Sequence, residues 1–435
     1  MPRKTALIVW AVILVAVPGF LATGTPASAA WKEKVLHNFN DNGKDGYNPV
    51  GGLASDAAGR FYGTTESGGD IGFGTVFVVM PDDKGTWTEK VLHSFTGSPS
   101  DGSYPAGRVV IGPDGNLYGT TAYGGNYGDG TVFELTPEAG GQWNEKLLHS
   151  FNGRDVASPV EGLVFDGAGN LYGTTDTGGS GCDGYGCGVV FQLTRGPDGN
   201  WEEVVLHKFN GKDGASPYGD LVFDTAGDLY GATYGNRFLG CSPYDCGTVF
   251  KLRLGTNGQW REQVLRRFKS NGKDGYFPSG GVVLDSAGNL YGTTSAGGGS
   301  ACSGGGCGTV FRLTRGATGR WAETLLHIFN DKNDDGTNPV GPLTFDRGRN
   351  LYGTTSSGGS HSYGTVFRLS TCGKEKWTEK VLYNFCSASG CIDGTHPEGG
   401  LIFDATGDLY GTAFGGLSDW PLDFYPRGNV FELAP

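Results

Sequence analysis

The chain has 435 residues, 80 of them glycine, and a formal net charge of -12 at pH 7. Aromatic residues at 12% and abundant Val, Leu and Phe exclude a disordered tail, and the glycines lack the strict triplet of collagen. The acidic charge disfavours nucleic acids and anionic membranes as partners.

The first 29 residues are predicted to be a secretory signal peptide. Two cations, Arg3 and Lys4, precede an apolar run that begins at Ala6, and the A-x-A site at 27–29 provides a cleavage point. The run is too short for a membrane-spanning helix. We therefore expect a secreted protein in which residues 30–435 form one domain, with no membrane insertion after cleavage.

Seven copies of one unit fill the rest of the chain. Each copy holds a tryptophan, an aromatic-Gly pair, a G-x-V-F string and one proline at a fixed position. The tryptophans, spaced 56 to 61 residues apart, are Trp31, Trp87, Trp143, Trp201, Trp260, Trp321 and Trp377. Self-similarity at such a period predicts a repeat architecture.

Each copy contains four short runs of β-type residues separated by Gly, Asp, Asn and Pro. In one copy these runs cover 162–166, 170–175, 188–193 and 201–209. Four strands with short turns predict a blade of a β-propeller, with a β-helix or an open solenoid as the alternative. The chain opens with a Trp-bearing run and ends with a G-x-V-F run. We therefore predict an all-β, seven-bladed β-propeller with four antiparallel strands per blade, closed by the N-terminal strand.

One string carries a resemblance to a known family. Residues 351–355 read L-Y-G-T-T, Gly358 and Gly359 follow, and 364–369 read G-T-V-F-R-L. This string resembles the GloVer tandem repeat over all seven copies. The family occurs in secreted, often surface-anchored bacterial proteins, so the resemblance implies a location more than a chemistry. The chain ends at Pro435 without a sorting tail, which favours release. The blades also resemble those of NHL-type propellers, which implies that the Trp run is outermost.

Eight of the nine cysteines form four closely spaced pairs in loops. The pairs are Cys182/Cys187, Cys241/Cys246, Cys302/Cys307 and Cys386/Cys391. In an exported chain this spacing predicts four local disulfides, and Cys372 is left as a free thiol. A zinc site made from two pairs is the alternative, but no C-x2-C spacing supports it.

Five histidines share one position on the outermost strand, in phase with its Trp and Phe. They are His37, His93, His149, His207 and His327. Equivalent positions of different blades are too far apart for one metal ion, so hydrogen bonds between blades are predicted.

Calcium is the only cofactor that the sequence suggests. Asp331, Asn333 and Asp335 form a D-x-N-x-D-G string, which opens a calcium loop. Pro342 stands where the loop requires a glutamate. An Asp-Gly turn entering the next blade is the alternative interpretation.

Residues after each fixed proline are small or apolar with five exceptions. The exceptions are Arg108, Glu161, Tyr218, Asp220 and Glu398. They begin the innermost strands near the mouth of the predicted channel and are the candidate ligand-binding residues. Loop tyrosines on the same side, such as Tyr127 and Tyr185, either stack on sugar rings or pack under loops.

The sequence favours a non-catalytic binding or interaction scaffold, because it contains no G-x-S-x-G, H-E-x-x-H or P-loop motif. The expected partner is an extracellular glycan or a protein, and the expected state is a monomer. One alternative is a polysaccharide lyase or glycoside hydrolase that uses Glu161, Asp220, Glu398 and Arg108. The other is a structural cell-surface repeat protein.

Overall fold

The computed structural model describes residues 31–40, 42–153, 157–179, 181–235, 246–299, 302, 305–371, 376–415 and 427–435. They belong to one unit, Trp31–Pro435. The predicted signal peptide, Cys241 and Cys372 lie outside these ranges, so the statements made for them stay predictions. Within the described ranges, no helix has both the length and the apolar composition needed to cross a membrane.

Antiparallel sheets form the seven blades of a propeller, as predicted, with four strands in each blade and a fifth in blade 6. In blades 1 to 6 the chain runs from the innermost strand to the outermost, which begins at the repeat's tryptophan. Blade 1 consists of Ala54–Ser55, Phe61–Thr65, Thr75–Pro81 and Trp87–Ser94; blade 2 of Val110–Ile111, Leu117–Thr121, Thr131–Pro137 and Trp143–Ser150; and blade 3 of Val164–Phe165, Leu171–Thr175, Val189–Arg195 and Trp201–Lys208.

Blades 4 to 6 continue the pattern. Blade 4 consists of Val222–Phe223, Leu229–Thr233, Thr248–Leu254 and Trp260–Arg267; blade 5 of Gly275–Leu284, Leu290–Gly297, Thr309–Arg315 and Trp321–Ile328; and blade 6 of Thr344–Phe345, Leu351–Gly358, Thr365–Thr371 and Trp377–Asn384. An additional strand of blade 6, Gly336–Pro339, pairs with Leu351–Gly358. The loops carry two short strand pairs, Gly46–Tyr47 with Ser67–Gly68 and Gly102–Ser103 with Tyr123–Gly124, and two 3-10 turns, Cys182–Gly184 and Ser389–Cys391.

Blade 7 joins the two ends of the chain. Its strands are Ile402–Phe403, Leu409–Ala413, Asn429–Ala434 and, outermost, Lys32–Asn38. The last two pair antiparallel, with Val35 opposite Phe431. The predicted ring closure is therefore confirmed, and it pairs a strand edge that would otherwise expose a row of backbone donors and acceptors.

The predicted alternation along the outermost strands is wrong at one position. The sequence places His37 in phase with Trp31 and Phe39, but a β-bulge lies between Val35 and His37. The inserted residue, Leu36, is buried. The other six outermost strands shift register at the same place. A bulge adds one residue to one strand and so changes the phase of the side chains beyond it.

Packing within a blade explains two of the repeated features. In blade 1, Gly63 lies against the ring of Phe77, and a Cβ there would be 2.5 Å from the Phe77 Cζ. The hydroxyl of Tyr62 donates to Asp56 Oδ2 at 3.1 Å, in the turn after the innermost strand. The Gly–Phe contact recurs in all seven blades, so the aromatic-Gly pair and the phenylalanine of G-x-V-F are needed together.

The fixed proline and the glycine of G-x-V-F hold neighbouring blades together. Pro49 of blade 1 packs on Gly428 of blade 7, where any Cβ would overlap the proline ring. The φ of Gly428 is +104°, which other residues rarely adopt. Asn48, just before the proline, donates its N–H to the Arg427 carbonyl at 2.8 Å. The other six blade boundaries repeat these contacts.

The hydrophobic core lies between the blades. One cluster combines Leu36, Phe39 and Val430 of blade 7 with Phe61 and Phe77 of blade 1, and the other apolar clusters likewise combine neighbouring blades. Each blade thus shares a buried apolar interface with the next blade, and closing the ring buries the last of these interfaces.

Candidate functional site

A cavity of about 1000 Å³ lies on the axis of the ring and is lined by residues of all seven blades. Its wall consists mainly of the segments that follow the fixed prolines and of residues at or near the ends of the second strands, with Phe277 and Asn338 from just before two of the prolines. The volume is at the upper end of the ~300–1,000 Å³ usual for ligand pockets.

Glycine forms much of this wall because the seven segments converge at the axis. A Cβ at Gly51 would lie 3.0 Å from the Gly107 carbonyl, and a Cβ at Gly107 would overlap the backbone of Glu161. The Thr64 hydroxyl donates to the Gly107 carbonyl at 3.0 Å, and the Thr412 hydroxyl donates to the Gly51 carbonyl at 3.0 Å. A residue other than glycine at one of these positions therefore places its side chain in a part of the axial cavity that glycine leaves without side chains.

All five candidate ligand-binding residues line this cavity, namely Arg108, Glu161, Tyr218, Asp220 and Glu398. Arg108 of blade 2 reaches across blade 3, and its Nε donates to Asp220 Oδ2 of blade 4 at 2.5 Å. The other oxygen, Asp220 Oδ1, accepts the N–H of Gly162 at 3.1 Å. The structure brings the five residues together, and their role in binding stays a prediction.

One side of the cavity is acidic. Glu398 of blade 7 and Glu66 of blade 1 both belong to its wall. Burial, and secondarily the charge of Glu66, raise the pKa of Glu398 to about 6. Burial also raises the pKa of Glu66. The charge of Glu66 thus affects the ionisation of Glu398.

Aromatic side chains also line the cavity. Tyr218 and Tyr234 of blade 4, Phe277 of blade 5 and Phe414 of blade 7 belong to the wall. The rings of Tyr234 and Phe277 are stacked, with centroids 4.8 Å apart and planes 4° from parallel. Tyr218 and Tyr234 have centroids 5.8 Å apart. Aromatic rings present flat apolar faces, and the tyrosines add a hydroxyl group at the edge of the ring.

Sequence reasoning missed four of these wall residues. Glu66, Tyr234 and Phe414 directly follow the second strands, and Phe277 precedes a fixed proline. The usable signal was that the position after each second strand differs from copy to copy, whereas the strand itself hardly changes.

The repeated histidines lie at the outer rim and do not meet, as the sequence predicts. Each contacts acidic residues at one blade boundary. The Nε2 atom of His37 lies 3.1 Å from Asp45 Oδ2, and that of His149 lies 3.2 Å from Glu203 Oε2 of the next blade. The partner glutamate belongs to a Trp-x-Glu string present in all seven copies, a signal that sequence reasoning overlooked.

The residues of the predicted calcium loop lie beside one of these rim contacts. The carboxylate of Asp335 lies 3.1 Å from His327 Nε2 and accepts the N–H of Asn330 at 3.2 Å. Asp331 and Asn333 are exposed in the same loop. Calcium at Asp331, Asn333 and Asp335 stays a prediction.

Three of the four predicted disulfides are confirmed. They are Cys182–Cys187, Cys302–Cys307 and Cys386–Cys391. Cys246 is also disulfide-bonded, and its predicted partner Cys241 lies outside the described residues. The Cys187 carbonyl accepts the N–H of Ser216 at 2.9 Å. This disulfide therefore secures a loop that carries a contact between blades.

The closed ring and its axial cavity define a β-propeller with a candidate site at its centre. The sequence matches the Gloeobacter/Verrucomicrobia repeat over residues 19–185 and 180–420, and the chain belongs to this family. The resemblance to the GloVer repeat is thereby confirmed. No curated protein sequence matches the chain.

Several solved structures have a similar fold. One from Thermus thermophilus, named a putative oxidoreductase (glucose dehydrogenase), is 15% identical with a TM-score of 0.43, and the match covers 93% of this chain and 100% of that chain. Another glucose dehydrogenase is 13% identical, with a TM-score of 0.42 and coverage of 93% and 99%. A Dyadobacter fermentans protein of unknown function is 11% identical, with a TM-score of 0.43 and coverage of 93% and 100%. At such values the likeness carries no argument about activity.

Proposed function

We propose that this propeller is a secreted, non-catalytic binding protein whose axial cavity holds part of an extracellular glycan. One observation carries the proposal, namely that a stacked aromatic surface and a group of carboxylates line the same cavity. Secretion is part of the proposal. It is supported by the three described disulfides, since such bonds persist in oxidising compartments.

The aromatic rings and the carboxyl groups of the wall suit different parts of a sugar ring. The stacked rings of Tyr234 and Phe277 offer an apolar plate for the C–H face of a sugar. The carboxyl groups of Glu161 and Glu398 offer acceptors for hydroxyl groups. Bare glycine backbone, as at Gly51 and around it, lets a ligand approach the axis closely.

The charge of the wall narrows the class of glycan. The described wall residues include four carboxyl groups, those of Glu66, Glu161, Asp220 and Glu398, and one cationic side chain, Arg108. Arg108 is already paired with Asp220. A polyanionic glycan would meet net repulsion. The proposal is therefore a neutral or amino-substituted oligosaccharide.

Calorimetric titration of residues 31–435 with cello-, xylo-, chito-, chitosan and polygalacturonate oligosaccharides tests this. We expect saturable binding of at least one neutral or aminated probe and none of polygalacturonate. Tyr234→Ala should weaken binding at least ~10-fold, a loss of ~1.4 kcal/mol. The control is Tyr127→Ala, which removes a 65% exposed tyrosine outside the cavity wall. Absence of binding across the panel, or sensitivity to Tyr127→Ala alone, would contradict the proposal.

One observation favours glycoside hydrolysis as a second candidate function. Glu398, with its pKa raised to about 6 beside Glu66, has the character of a general acid next to a second carboxylate. Asp220 fits that chemistry less well than the sequence suggested, because Arg108 and the Gly162 N–H occupy its two oxygens. Release of reducing ends from a bound probe, abolished in Glu398→Gln, would favour the hydrolase. Binding without turnover favours the scaffold.

A further inference from the structure

Three clusters at the outer rim combine side chains that bind transition-metal ions. Each contains a histidine of one outermost strand, an aspartate of the following loop and the Trp-x-Glu glutamate of the next blade. The clusters are His37/Asp45/Glu89, His207/Asp213/Glu262 and His327/Asp335/Glu379. Within each cluster, one ligand atom from every residue lies within 4.8 Å of the others.

These clusters contain buried carboxylate oxygens without donors. Among the described residues, Oε1 of Glu89, Glu262 and Glu379 is buried and has no hydrogen-bond partner, as is Oε1 of the other four Trp-x-Glu glutamates. Asp45 Oδ1 is likewise buried without a hydrogen-bond partner, and the Asp45 side chain is only 6% exposed. An unpaired buried carboxylate oxygen is costly. These particular oxygens therefore lack a positively charged or donating partner.

One blade boundary of this chain shows what kind of group fits between the aspartate and the glutamate of such a cluster. At the boundary of blades 4 and 5, arginine replaces the histidine. Arg266 Nη2 lies 2.9 Å from Asp274 Oδ2 and 2.5 Å from Glu323 Oε2. A cationic group thus occupies the space between the equivalent aspartate and glutamate. The shorter His37 contacts Asp45 in the corresponding place.

We propose that the three clusters each bind a divalent transition-metal ion, with zinc favoured, and that each ion links two neighbouring blades. One imidazole nitrogen and two carboxylate oxygens are ligand types that zinc takes, and a fourth position is left open to water. Ligand atoms on one tetrahedral zinc lie ~3.4 Å apart, since each is ~2.1 Å from the ion. Side-chain movements of up to about 1 Å therefore complete the set.

The imidazole decides against calcium at the third cluster. Calcium takes oxygen ligands, whereas imidazole suits zinc and its neighbours. Asp335 belongs both to the D-x-N-x-D-G string and to the cluster with His327 and Glu379. The proposal thus assigns Asp335 to a transition-metal ion.

Zinc titration of residues 31–435, first dialysed against a chelator, tests the inference by calorimetry and by metal analysis. We expect saturable binding of about three zinc ions per chain, one for each cluster. The matched variant carries His37→Arg, His207→Arg and His327→Arg together. It copies the arrangement of Arg266, so the blades should stay paired while zinc binding is lost.

A second variant keeps the test decisive. His93→Arg changes a rim histidine that belongs to none of the three clusters found among the described residues, and it should leave the zinc stoichiometry unchanged. No saturable zinc binding by the parent would overturn the proposal. Parent stoichiometry in the triple variant would show adventitious ions only and would also overturn it. If the triple variant fails to fold, His207→Arg alone must remove one zinc ion, and no loss would overturn the proposal.

Discussion

The seven copies are alike at the rim of the ring and differ from one another at its axis. At the rim the same contact recurs, and where histidine is replaced, Arg266 and Tyr383 still bind the equivalent aspartate. At the axis, six copies carry glycine at the position of Glu161, and at the next position four copies carry glycine whereas Arg108, Asp220 and Pro342 depart from it. Repetition marks residues that hold blades together, whereas departures mark the places where a ligand can be recognised.

The largest effect should come from breaking the ring itself. Deletion of residues 31–40 removes the outermost strand of blade 7, leaves Asn429–Ala434 unpaired at its edge and opens the apolar cluster shared with blade 1. We expect loss of cooperative unfolding, or aggregation, in circular dichroism and size-exclusion measurements. A truncated chain that stays monomeric and melts like the parent would rule out the closure.

A single repeated glycine should be almost as sensitive. Gly428→Ala places a Cβ against Pro49 at a φ of +104°. We expect a loss of ~3 kcal/mol in the free energy of unfolding, from the overlap and the unfavourable backbone. Gly167→Ala is the control, because nothing lies within 4 Å of its added Cβ. Equal losses in the free energy of unfolding for the two variants in urea titrations would contradict this expectation.

One pair of substitutions should separate axis from rim. Arg108→Gln should weaken oligosaccharide binding at least ~10-fold and leave the melting temperature almost unchanged, because the Arg108 side chain is 36% exposed and its ion pair is partly solvated. His93→Ala should lower the melting temperature by a few degrees, since it removes the contact with Asp101, and should leave binding unchanged. Calorimetry and thermal scans check both, and the reverse pattern would contradict the division.

The rim should also show a modest pH dependence. Burial, assisted by neighbouring aspartates, raises the pKa of five rim glutamates to about 7, namely Glu33, Glu89, Glu145, Glu262 and Glu379. Between about pH 4.5 and about 7 the folded chain keeps protons that the unfolded chain releases. The free energy of unfolding therefore falls as the pH rises through this window and levels off above it.

Urea titrations between pH 5 and 8, with metal chelated, check this dependence. Glu89→Gln with Glu145→Gln should flatten the slope, because a neutral amide cannot titrate. The exposed Glu138→Gln is the matched control and should leave the slope unchanged. Stability that rises across the same interval would contradict the assignment.

The repeats made the architecture predictable because every copy carries the same structural contacts. The spacing of the tryptophans and the final G-x-V-F run sufficed to predict how Lys32–Asn38 closes the ring. The bulge at Leu36 was not predictable, because an apolar residue next to Val35 fits an unbroken strand as well as a bulged one. The alternation of residues along a strand indicates which face of the sheet a side chain occupies, but it does not indicate where the register shifts.

The site was predictable only in part, because its residues come from two kinds of position in the repeat. Arg108 and Asp220 stood out as charges among glycines in one aligned segment. Glu66 and Phe414 follow strands of other blades, and only the convergence of all seven blades brings them to the same cavity. The effect of the Glu66 charge on the pKa of Glu398 likewise depends on blade 7 lying next to blade 1.

Hydrogen–deuterium exchange of residues 31–435, with and without the oligosaccharide that binds tightest in the panel, tests the division between rim and axis most directly. The account predicts slower exchange in the axial segments 50–53, 218–221 and 398–401, which line the cavity. It predicts no change in the outermost strands, such as Trp87–Ser94. Protection confined to the rim strands or to the loops around Tyr127 and Tyr185, with unchanged axial segments, would contradict it.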